Sequence, residues 1–157
     1  MARSLSPFVE PGVVLRTYTK DEAVRWGEQW LEVFGQERQG VNAKAYLWHV
    51  FSAGRFPAVE GRQAHAIYAE QRAPEYVVLA NNREDAVLTD LLPTAALPSD
   101  WLVFPVNLAW TMAFTHEEGR MGPYFAKHAN YERLRAENLA RIDKRDAIAL
   151  AKQKGWV

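Results

Sequence analysis

The chain has 157 residues, no cysteine, and 19 basic residues balanced by 19 acidic ones. A chain of this length is about one domain and can bury roughly 70% of its unfolded surface without covalent staples. The lack of thiols excludes disulfides, thiolate metal sites and a cysteine nucleophile, and zero net charge gives no global attraction to nucleic acid.

The opening stretch, MARSLSPFVEPGVV, has no apolar core of signal-peptide length. No run approaches the ~18 apolar residues that a membrane span requires, so a soluble, cytoplasmic protein is expected. Residues 1–12 read as a loose lead, and Val13 to Thr19 as a short β-prone run. Thr19 and Glu22 form a T-x-x-E capping box, which opens a helix with Ala23, Trp26, Trp30 and Phe34 near one face. Gly35 is its expected stop, and the two tryptophans its core anchors.

After a polar connection, Ala43 to Gly54 reads as a strand rich in aromatic and β-branched residues. Its alternation is poor, because Tyr46, Leu47, Trp48, Val50 and Phe51 would point to both sides. Glu60 to Gln71 carries Ala64, Ile67 and Tyr68 at helical spacing, and Pro74 closes it. Glu75–Ala80 and Asp85–Leu91 read as a hairpin turning at Asn81-Asn82. Residues 93–100 form a Pro-bounded loop.

Trp101–Val106 and Leu108–Thr115 are two further strands, the first ending at Pro105 or lying at an edge. In the second, alternation places Trp110, Met112, Phe114 and His116 on one face and Thr111, Ala113, Thr115 and Glu117 on the other. From Pro123 the chain reads as helical to its end, with a break near Asp143 and Asp146. The expected architecture is one α+β domain: a mostly antiparallel sheet of about five or six strands, covered on one face by helices, with a helical tail over 129–157.

Charge is uneven along this order. From Lys127 onward there are eight basic and four acidic residues, against eleven and fifteen before it. A basic terminal helix beside an acidic body can meet phosphates or an acidic partner, although a solvated helix face accounts for it more simply. Six Trp, six Tyr and seven Phe also give the chain many residues suited to core anchoring or to binding hot spots.

The familiar catalytic motifs are missing. There is no Gly-rich dinucleotide or phosphate loop and no Gly-x-Ser-x-Gly elbow. His116-Glu117 is followed by Glu118-Gly119-Arg120, not by the second histidine of a zincin helix, so no metal or cofactor is expected. One polar cluster remains: Thr115, His116, Glu117, Glu118, Arg120 and Tyr124. An imidazole beside a carboxylate is a plausible acid–base pair. Adjacent strand residues face opposite ways, however, so His116 and Glu117 share a site only if the strand has ended or bulges there. A solvated strand-to-helix connection, with Gly119 and Gly122 giving freedom to the turn and Pro123 opening the helix, is the competing account.

The segments WHVFS (Trp48 to Ser52) and WTMAFTHEEGRMGPYF (Trp110 to Phe125), with the early Trp-rich helix, resemble a family of uncharacterised bacterial proteins classed as a domain of unknown function. Its members carry similar Trp-His-x-Phe-Ser and Trp-Thr-x-x-x-Thr-His-Glu motifs leading into Gly-Pro-Tyr-Phe. The resemblance runs from about Trp26 to His128 and implies no activity. It points to His49 and His116 as a pair that meets if their strands are neighbours.

Three functions follow as expectations. The first is a non-enzymatic binding protein of immunity or inhibitor type, with a protein partner. The second is a small hydrolase or lyase using His116 with Glu117 or Glu118, aided by His49. The third is nucleic-acid association through the basic tail.

Overall fold

The computed structural model describes residues 11–37, 39, 46–93, 100–117 and 120–155. Strand β1 (Val14–Thr17) leads into helix α1 (Lys20–Phe34). The capping box is formed as expected: the Glu22 amide donates to Thr19 Oγ1 at 3.2 Å, and the Thr19 amide donates to Glu22 Oε1 at 2.9 Å. Trp30 is fully buried, and its indole N–H donates to Thr111 Oγ1 at 2.9 Å. Trp26 is half-buried, its ring 5.5 Å from that of Phe104.

The expected strand around Trp48 is instead a turn and the short helix α2 (His49–Ser52). Leu47, Trp48, Val50 and Phe51 are buried, whereas His49 is half-exposed and Ser52 exposed. Leu47, Val50 and Phe51 stand at i, i+3 and i+4, so the poor alternation was itself a helical signature. The start of that expected strand, Ala43 to Lys44 and Ala45, lies outside the described residues.

Strand β2 (Val59–Glu60), helix α3 (Arg62–Ala69), the hairpin β3 (Tyr76–Ala80) and β4 (Ala86–Thr89), and strands β5 (Trp101–Pro105) and β6 (Trp110–Phe114) follow. The hairpin is as expected, although its positive φ falls on Arg83, not on the asparagines. Asn82 serves the turn through its side chain, accepting from the Glu84 amide and donating to Asp85. Strand β5 does end at Pro105, but it is a central strand.

After Pro123 the chain forms strand β7 (Tyr124–Lys127), not a helix, and helix α4 (Tyr131–Gln153) then runs without a break at Asp143 or Asp146. Tyr124, Phe125 and Ala126 are a short buried run, which sequence periodicity cannot assign to helix or strand. Pairing with β6 decides it.

The seven strands form one antiparallel sheet, ordered β1-β4-β3-β5-β6-β7-β2, one or two strands more than expected. Helices cover both faces, not one. On one face α1 and the Leu47–Phe51 turn pack on Val77, Leu79, Leu102, Phe104, Ala113 and Tyr124. On the other, α3 and Leu134 of α4 pack on Val78, Val103, Trp110, Met112 and Phe125. Strands β3 and β5 are buried at every residue, as strands sandwiched between helices must be. Helix α4 buries only Leu134, Asn138 and Ile142, one stripe at i, i+4 and i+8, and residues 143–150 are exposed.

Tyr68 fastens α3 to the chain beyond β4 by donating its hydroxyl to the Pro93 carbonyl. Burial, with a smaller contribution from Tyr76, pushes its phenol well above the ordinary value of 10.0. A folded pKa above the unfolded one means stability that is complete below about pH 10 and is lost as pH rises through the folded value. Tyr68→Phe is therefore expected to flatten the fall of unfolding free energy above about pH 10, as measured by urea titration. An unchanged slope would refute the buried phenol as its source.

Candidate functional site

The strand that carries the expected cluster ends at Phe114. Up to there alternation holds: Trp110 and Met112 join the α3-side core with Phe114 packed on it, and Ala113 joins the α1-side core. Beyond Phe114 the chain turns, so His116 does not follow the Trp110 face. Its ring lies on the opposite side, 4.9 Å from the Tyr46 ring and 6.3 Å from Trp48.

A residue that the sequence did not single out holds it there. Asp100, buried just before β5, turns its carboxylate into the space between Trp48 and the turn. Its Oδ1 accepts from Trp48 Nε1 at 2.8 Å and from the His116 backbone amide at 2.9 Å. His116 Nδ1 lies 3.0 Å from Oδ1 and 2.9 Å from Oδ2. A carboxylate only accepts, so Nδ1 carries a hydrogen, and Nε2 lies at the opposite edge of the ring. That edge faces Glu117 Oε2 at 3.8 Å. His116 and Glu117 thus meet because the strand has ended, the condition that alternation set.

The Asp100 backbone extends the anchorage. Its carbonyl accepts from the Asn81 amide at 3.0 Å, and Asn81 Oδ1 accepts from the Leu47 amide at 2.9 Å. The Trp48 turn, the β3–β4 hairpin and the start of β5 are therefore one hydrogen-bonded unit. His49 is not on a neighbouring strand, but it shares the aromatic surroundings of His116: its ring is 5.3 Å from Tyr46 and 4.6 Å from Trp48.

The other expected residues divide between support and surface. Thr115 is buried and donates to the Met121 carbonyl at 2.6 Å, closing the loop that follows. Tyr124 is a core residue stacked on Trp48 at 6.0 Å. Burial raises its phenol, and the Glu60 and Glu117 carboxylates raise it further. Arg120 is exposed, and Glu118 lies outside the described residues. Gly122 has φ +79, and a Cβ there would stand 2.8 Å from Thr115 Cγ2. Its amide donates to Glu60 Oε2 at 3.1 Å, and its bond to Pro123 is cis. Among the described residues, no three His, Asp or Glu side chains converge as metal ligands, and no helix is long and apolar enough to cross a membrane.

Asp100→Ala leaves the Trp48 indole N–H and the His116 amide without their acceptor. It is expected to cost about 3 kcal/mol, since each stranded buried donor costs about 1–3 kcal/mol. Gly122→Ala forces a methyl group into Thr115 at a positive φ and is expected to cost about 1–3 kcal/mol. Chemical denaturation measures both, and losses below about 0.5 kcal/mol, the range of neutral surface changes, would contradict these roles.

Residues 23–125, from α1 into β7, match the model of a family described as Domain of unknown function (DUF4275). No curated protein and no solved structure matches the chain. The matched span holds Trp48, Asp100, His116, Glu117 and Gly122 and leaves out α4. On that span, about two thirds of its length, the chain belongs to this family of domains of unknown function.

Proposed function

We propose that this protein is a binding protein of immunity or inhibitor type, which docks a protein partner on the patch formed by Tyr46, His49, His116 and Glu117. One observation carries the reading. The His116 side chain is 40% exposed, yet the buried Asp100 carboxylate holds both its ring and its backbone amide. Side chains fixed before binding lose little conformational freedom on association, and aromatic residues supply contact area at low entropic cost. Glu117 adds a carboxylate that selects a basic partner surface.

A second reading has its own support. An imidazole oriented through Nδ1 by a buried carboxylate, with Nε2 beside Glu117, is arranged for proton transfer in a small hydrolase or lyase. It takes His116 as the proton carrier and Asp100 as the group that positions it.

Affinity capture from the source cells separates the two. The docking reading expects a 1:1 complex that Glu117→Lys and His49→Ala release, with both variants retaining wild-type circular dichroism. Failure to hold a partner, or equal retention by the variants, would overturn it. Turnover of model esters that disappears in His116→Ala would favour the second.

A further inference from the structure

A groove of about 510 Å³ is lined by Glu60, Gly61, Arg62, His65, Arg120, Gly122 and Pro123. Two of its walls come from different parts of the chain. Arg62 and His65 stand three residues apart on α3, so both lie on one side of that helix. Arg120 comes from the loop, where the amides of Arg120 and Met121 both donate to the Glu117 carbonyl and fix the turn.

The charge in this groove is unevenly used. Arg16, Arg133 and Arg145 each face a carboxylate elsewhere on the surface. Arg62 and Arg120 make no ion pair with any described residue. Among the described residues that line the groove the acidic one is Glu60, which has an oxygen turned onto the Gly122 amide at 3.1 Å and is tied by it to the loop backbone. Two arginines therefore line the groove with one described carboxylate that is already engaged, and the volume exceeds what a single ion needs. Guanidinium groups arriving from two walls suit a tetrahedral oxyanion, which accepts hydrogen bonds in several directions at once. A planar carboxylate offers only two acceptor atoms.

We propose that this groove binds a phosphate group carried by a small molecule, held between Arg62 on α3 and Arg120 on the loop. The inference stands apart from the docking reading above, because it uses none of the residues of the His116 patch.

The test is a calorimetric titration of the full chain with inorganic phosphate, with ionic strength held constant by chloride. Saturable binding is expected. Arg62→Gln and Arg120→Gln are each expected to weaken it at least about tenfold, the equivalent of one lost charge-assisted contact. Arg133→Gln, which alters a paired surface arginine, is expected to leave it unchanged. Both groove arginines are exposed, and unchanged thermal unfolding of their variants confirms that folding is not the cause. No saturation beyond the chloride-matched baseline would overturn the proposal, as would wild-type affinity in either groove variant. Saturation by acetate but not by phosphate would overturn the assignment to phosphate.

Discussion

The buried carboxylate of Asp100 is the contact on which both the fold near the candidate site and the site itself depend. A carboxylate taken out of water is costly unless donors replace its hydration. Here the donors are the Trp48 indole, the His116 amide and the His116 ring. They come from two segments, 52 and 16 residues away in sequence. One side chain thereby fixes the turn that covers the α1 face of the sheet and the turn that leaves β6. The position of His116 is a consequence of that requirement.

The loop after β6 is then defined from three sides. Thr115 closes its base onto Met121, Glu60 of the edge strand holds its Gly122 amide, and Asp100 holds its first residue. Only a residue without a side chain fits at Gly122, because Thr115 and Tyr124 crowd the space a Cβ would take. The loop contributes to two surfaces of different character. In one an imidazole and a carboxylate sit among aromatic rings, and in the other two arginines line a groove. Helix α4, outside the family match, leaves its last turns uncovered and contributes to neither surface.

Local physics was legible in the sequence wherever it was self-contained. The Thr19–Glu22 box, the helical face of Ala64, Ile67 and Tyr68, and the alternation from Trp110 to Ala113 each depend on neighbours within a few residues, and each is present. The α+β class followed from them. Short apolar runs were not legible: Leu47 to Phe51 became a helical turn and Tyr124 to Lys127 a strand, because tertiary contacts chose between states of similar local preference. Alternation extended past Phe114 puts His116 on the wrong face, because the strand ends there. Asp100 left no local mark at all. It stood at the end of a Pro-bounded loop, and its partners are visible only in three dimensions. Glu60 is hidden for the same reason: it stands in a strand, not in the helix that follows it, and its partner is a loop amide 62 residues away.

The central claim is that Asp100 sets the orientation of His116. Nitrogen-15 NMR of the histidine side chains tests it most directly, because it reports which ring nitrogen carries the hydrogen in the neutral form. The account predicts hydrogen on Nδ1 and a bare Nε2 for His116 in the native protein, with that preference lost in Asp100→Asn. A native ring protonated on Nε2, or a preference unchanged in the variant, would contradict it.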